Sequence, residues 1–388
     1  MIRRLLLIAS LVPCAFPASI GVCQEPAAAP RQSFDQLLQA AEKARDENRD
    51  NEAIQFFRRA VSEQPESEQA LWYLGTLLYE KQQYAETLDV LRQFVTIRPD
   101  AGPAWALLGL SEFQLRAYPR ALDHLQRAMN QGMGDRKELI QSVFLDVVAL
   151  LTRFERYDDS IAMLQKMLAD GASDPALTEC VGLAGLRLPL LPSEIPEDRR
   201  ELVQLAGKAV LDMETQHYQG AESEFKQLVT DYPNEPSVHY LYGAYLTQLH
   251  PNESAVEFER ELEISPSHVL ARVRLAELLI AQRELDRALA LAQQAIKLDP
   301  KRASPHMIAG EALLAKGNAR DGIKEVETAR DIDSTVVRAH WDLLRAYIAA
   351  GRKDDADREK DAIEKLGNRN SPSRPRDAGN IPHDQSAP

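Results

Sequence analysis

The chain has 388 residues, a formal net charge of -13 and an aromatic content of 6%. That length exceeds what one compact core serves, but it suits a stack whose units each bury a face against their neighbours. Alanine, leucine, glutamate, glutamine and arginine dominate, the palette of helix formers, and the acidity excludes nucleic acid and anionic lipid as natural partners.

The first residues read as an export signal over 1–23. Met1-Ile2-Arg3-Arg4 gives the positive start, Leu5 to Val12 the apolar run, and Pro13 and Pro17 break it before small residues begin. The run is too short to span a bilayer. A flexible linker over 24–32, with Ala27-Ala28-Ala29-Pro30, follows at once, which favours cleavage and a periplasmic or secreted product. Ile20-Gly21-Val22-Cys23 looks like a lipobox with Val22 where a small residue belongs, so membrane attachment would require lipidation at Cys23. Cys14 and Cys23 fall within the signal, leaving Cys180 alone on an apolar helical segment as a buried, inert thiol.

From Ser33, an N-cap, a helix carries Leu37, Leu38 and Ala41. After the polar turn Asn48 to Asn51 a second helix runs through Ala53, Phe57 and Ala60 to Pro65. Residues 68–101 repeat this hairpin with Leu74-Gly75, Thr87, Leu91 and Pro99. A third copy has Trp105, Leu108, Gly109, Tyr118, Ala121, Leu125 and Ala128. Gly109 stands 34 residues after Gly75, and Pro99 stands 34 after Pro65. A period of this size denotes a stacked helical repeat. Small residues let the helices cross closely, large ones fill the gaps, and the prolines stop the second helix.

This order of aromatic, Leu-Gly, aromatic at the turn, alanine, large apolar residue and proline resembles the tetratricopeptide repeat of bacterial exported proteins. The resemblance implies an all-α solenoid of antiparallel helix hairpins, wound as a right-handed superhelix. Residues 33–170 form the expected N-terminal block, closed by a degraded unit with Phe144, Val147, Leu151, Ile161, Leu164 and Met167. Over 171–196 the period slips. Leu177 to Leu186 reads as one helix, and the proline-rich run from Leu188 to Pro196 places the break between two blocks there, although its apolar content suggests packing on the helices. The C-terminal block is expected over 197–366. It opens with Tyr218, Ala221, Phe225, Leu228 and Pro233, and a unit one residue short at Tyr242-Gly243 has a tightened turn near His250-Pro251. Leu275-Ala276, Ala309-Gly310 and Leu343 mark the later units. A polar helix around Lys360 caps the end, and 367–388 is expected to be a disordered tail.

The sequence has no glycine loop for phosphates, no paired cysteine ligands, no His-Glu-x-x-His and no Gly-x-Ser-x-Gly, so no catalytic residue, metal or cofactor is assigned. His239, His306 and His340 recur where Trp105 stands. Repeats keep such positions about 8–10 Å apart, too far to share one metal, so they read as aromatic stand-ins packed half in the core. The acidic stretch Glu257 to Glu263 reads as a solvated helix face. The resemblance implies a binding groove lined by the first helix of each hairpin. Trp72, Thr76 and Tyr79 would line it in one unit and Ala106, Leu110 and Phe113 in the next. The second block would add Tyr240, Thr247, Val273, Glu277, Ile280, Met307, Glu311, Trp341 and Arg345. The expected lining is apolar and aromatic and lacks the basic and asparagine pairs that would clamp an acidic peptide tail. The function that follows is a non-enzymatic adaptor holding a peptide or helix of a partner protein. The alternatives are a structural role through self-association and an enzyme with a cryptic site.

Overall fold

A computed structural model describes residues 32–169 and 175–370; the expected export signal, most of the linker and residues 371–388 lie outside it. Among the described residues the chain is all-α, a solenoid of helical hairpins with nineteen helices and no strand. It divides into two compact units between Asp100 and Ala101.

The first unit holds α1 (Phe34–Asp46), α2 (Asp50–Glu63), α3 (Glu68–Glu80) and α4 (Tyr84–Ile97). Ser33 caps α1 as expected: its Oγ accepts the Gln36 amide at 3.3 Å, and Gln36 Oε1 accepts the Ser33 amide at 3.0 Å. In the second hairpin a Cβ on Gly75 would lie 2.4 Å from the Leu91 side chain, so the leucine occupies the space the glycine vacates.

The second unit begins with the hairpins α5 (Gly102–Gln114) with α6 (Tyr118–Gln131) and α7 (Lys137–Arg153) with α8 (Tyr157–Ala169). A single helix, α9 (Pro175–Gly185), precedes the hairpin α10 (Glu197–Glu214) with α11 (Tyr218–Asp231). Four hairpins complete the unit: α12 (Val238–Leu246) with α13 (Pro251–Ile264), α14 (Val269–Ala281) with α15 (Leu285–Leu298), α16 (Ala303–Ala315) with α17 (Ala319–Ile332), and α18 (Val337–Ala349) with α19 (Lys353–Asn370). First helices of successive hairpins also pack on one another, α10 on α12, α14 on α16 and α16 on α18.

Residues 175–196 of the expected connector pack on the helices that follow, as their apolar content suggests. A Cβ on Gly182 would lie 2.0 Å from the Val203 carbonyl oxygen, and one on Gly207 would lie 1.9 Å from that of Thr178. The backbones of α9 and α10 therefore touch at two glycines. Leu186 and Ile195 join one core with Leu202, Val203 and Phe225, and Leu191 is also buried.

Two departures from the period have local causes. α12 has only nine residues and α13 follows from His250 at φ -139°, so the one-residue deletion removes the left-handed residue that other hairpins place in this turn. α19 runs to Asn370, beyond Gly367 where the expected tail begins.

Candidate functional site

The three equivalent histidines are hydrogen-bonded staples, not half-buried aromatic stand-ins. His239, His306 and His340 are 7%, 9% and 4% exposed. On each, Nδ1 meets a carboxylate on the second helix of the same hairpin: Glu257 at 2.6 Å, Glu325 at 2.7 Å and Glu359 at 2.6 Å. Nε2 meets a carbonyl in the preceding turn, that of Pro233 at 3.0 Å, Pro300 at 3.2 Å and Ser334 at 3.0 Å. Both partners of His239 accept, so its ring fills that role with N–H on both nitrogens. Burial opposes charge on His239, but the bonds to Glu257 and the Pro233 carbonyl outweigh it and hold its pKa above the ordinary histidine value.

The acidic stretch on α13 is correspondingly not all solvated. Glu257 turns inward to His239, and Glu261 is fully buried, accepting the Ser237 amide at 2.9 Å and the Tyr240 amide at 3.3 Å. A side chain from the following helix thus satisfies the amino-terminal N–H groups of α12, where Ser237 is left-handed at φ 70°. Burial raises the Glu261 pKa although both amides and His239 favour its charge.

Along α14, α16 and α18, whose residues the expected groove includes, ion pairs run within and between the helices. Arg274 donates to Glu277 at 2.9 Å, and Arg338 reaches from α18 to Glu277 on α14 at 3.1 Å and to Glu311 on α16 at 2.6 Å. Arg345 pairs with Asp342. Burial, opposed by Arg338 and reinforced by the charge of Asp342, pushes Glu311 up to about 7. Beside this ladder lies a cavity of about 520 Å³, walled by Glu311, Asp342, Leu314 and Ala346 among others.

The expected groove residues divide sharply. Val273 and Met307 are buried in the core shared with Leu275 and Ile308, and Tyr240 and Ile280 pack on that core. Tyr240 also lies tilted against His268, whose ring centroid is 4.6 Å away; burial and the neighbouring Arg187 push His268 down to about 4. Thr247 spends its hydroxyl on the Gly243 carbonyl at 3.0 Å. Ala106 and Leu110 are buried within the α5 region, and Phe113 packs on Tyr118 at 5.7 Å. In the first unit Trp72 lies against Phe94 at 5.6 Å, Tyr79 against Tyr84 at 5.8 Å, and Thr76 donates to the Tyr73 carbonyl at 3.0 Å. Glu277, Glu311, Trp341 and Arg345 are the expected residues that fall on the charged stretch of α14, α16 and α18, with Trp341 48% exposed.

Arg274, Arg338 and Asp342 were missed. Asp342 stands one period after Ile308 and two after Arg274, so a charged residue at an inner position where a neighbouring unit is aliphatic was the available signal. Among the described residues no group of three or more His, Cys, Asp or Glu is placed to hold a metal ion, and no helix is long and apolar enough to cross a membrane.

Comparison with known proteins places repeats of this type in both units. The family described as anaphase-promoting complex, cyclosome, subunit 3 matches residues 46–128, and a tetratricopeptide repeat family matches 250–311. Anaphase-promoting complex subunit 3 of Dictyostelium discoideum is 32% identical over 83 residues, which are 21% of this chain; the match spans only 9% of that relative. Among solved structures, a MamA double mutant (RS-1) is 18% identical at a TM-score of 0.39, covering 43% of this chain and 94% of its own. MamA 41-end from Desulfovibrio magneticus RS-1 is 20% identical at 0.37, covering 44% and 96%. Scaffolds built from such repeats are in general non-enzymatic.

Proposed function

We propose that the protein is a non-enzymatic interaction scaffold that holds a segment of another polypeptide along the inner face of α14, α16 and α18. The observation that carries this reading is the surface left over once the repeats have packed. Trp341 and Ile348 are 48% and 65% exposed on α18, next to the charged ladder and its cavity. Large apolar side chains beside a charged recess are the ingredients of a contact surface. The apolar run at residues 5–12 and its basic start support a partner outside the cytoplasm, which amino-terminal sequencing of the protein made in its own cell would check.

The test is the double variant Trp341→Ala/Ile348→Ala, whose side chains the fold does not bury. A partner captured by the wild-type chain, then purified, should bind the variant about tenfold or more weakly. Equal affinity for every captured protein would overturn the reading. Self-association is the second reading, since the same exposed pair could meet a second copy. A mass in sedimentation velocity that rises with concentration, and does so only with Trp341 and Ile348 intact, would favour it.

A further inference from the structure

In a solenoid each repeat leans on its neighbours, and here α8 packs on α7 and α9 while α16 packs on α14, α15, α17 and α18. Side chains of these two distant helices nevertheless meet. Asp158, in the first turn of α8, accepts from the guanidinium of Arg302, which immediately precedes α16 and stands 144 residues away. The hairpins α10 with α11, α12 with α13 and α14 with α15 lie between them in the chain. We propose that Asp158, Arg187 and Arg302 form an electrostatic clasp, which draws the stretch from α8 to α16 into a closed turn and releases it when the charges are screened.

Asp158 is shared between two cations. Its other oxygen lies 3.9 Å from Arg187 just beyond α9, and the Arg187 guanidinium also covers the Tyr157 ring, 4.5 Å from its centroid. Arg302 is anchored from its own turn by Asp299 at 3.1 Å. Burial opposes the charge on Arg302, but the bonds to Asp158 and Asp299 outweigh it and hold its pKa above the ordinary arginine value. Close packing gives way here to a cavity of about 480 Å³, walled by Arg187, Leu188, Ser267, His268, Asp299 and Arg302 among others. A seam of charge beside a void is held by attraction, so it parts with little loss of packing. The Asp158 and Arg302 side chains are 50% and 25% exposed, and pairs of that kind are individually weak and screened by salt. Weakness suits a clasp, because small rotations between successive hairpins add up to a large movement at the seam. Since α16 belongs to the surface proposed above for a partner, the clasp also sets how that surface stands to α8.

The experiment is small-angle X-ray scattering of the full chain at about 50 mM and about 1 M NaCl, for wild type, Arg302→Gln, Asp158→Asn and Arg302→Lys. Circular dichroism confirms that each variant keeps its helices. A chain of net charge -13 contracts as salt screens its self-repulsion, so expansion with salt isolates the loss of an attraction. The expected result is a larger radius of gyration for wild type in high salt, and that larger radius already at low salt in Arg302→Gln and Asp158→Asn. Arg302→Lys keeps the charge and should behave as wild type. In that variant a water-soluble carbodiimide should also join the introduced amine to the Asp158 carboxyl as an amide, read by mass spectrometry as a link between the two peptides. High salt should reduce the yield of that link severalfold. Scattering from either neutral variant that superimposes on wild type at low salt, a wild type that contracts with salt, or an amide link that does not form would overturn the clasp.

Discussion

The histidine staples show how a single side chain joins two levels of the fold. Each imidazole ties the first helix of its hairpin to the second and to the turn before it, so it fixes hairpin closure and hairpin stacking together. For His239 the direction of pH dependence follows. Its folded pKa is raised above an unfolded value of about 6.5, so its stabilisation is fully present below that value and is lost as pH rises through the folded pKa. Thermal unfolding of wild type and His239→Phe should differ most near pH 5.5, by about 1–2 kcal/mol for a charge-assisted bond. The gap should narrow toward pH 8.5. A gap that is constant with pH would show that the ring acts by packing alone. None of this was legible in the sequence, because the partner carboxylates stand 18 or 19 residues away on another helix and a buried histidine there reads equally well as an aromatic.

Helices and turns were the most legible feature, since glycine, alanine and leucine at a 34-residue spacing leave few other ways to bury the apolar faces. The turn chemistry was less so. Most hairpin turns place one residue in the left-handed region, Asn48, Gln82, Arg116, Glu155, Gln216 and Arg283 among them, and only Gly317 and Gly351 supply the residue type that does so without strain. A search for glycine would therefore find two of these turns. Gly317 has φ +84° and open space where a Cβ would go, so Gly317→Ala carries no clash and measures the backbone term alone. It should lower stability by about 1 kcal/mol. Arg283→Gly, at φ 63°, relieves the same strain but loosens the unfolded chain, and should change stability by less than about 0.5 kcal/mol. Urea midpoints of the two variants give the comparison. Equal losses would mean that the turn is held by its side chain, not by its backbone angle.

At the scale of the whole molecule, the second unit is a line of hairpins in which each is stabilised by its neighbours, and sequence showed that much. What it did not show is where the line is reinforced and where it ends. α9 and α10 touch backbone to backbone at Gly182 and Gly207, a contact that no spacing of apolar residues announces. At the other end, α19 looks like a polar cap, yet Ala356 and Glu359 are buried and Glu359 accepts from His340 at 2.6 Å and from Arg330 at 2.6 Å. Removing the chain from Lys353 onward should thus uncover Leu343 and Tyr347 and strand His340 and Arg330 together. In a stack with nearest-neighbour coupling the damage fades with distance. Amide hydrogen exchange in the truncated protein should accelerate strongly in α18, less in α16 and α17, and hardly at all in α9 to α11. Uniform acceleration would instead show that the unit unfolds as one cooperative body, with the Gly182–Gly207 crossing no firmer than the hairpins beyond it.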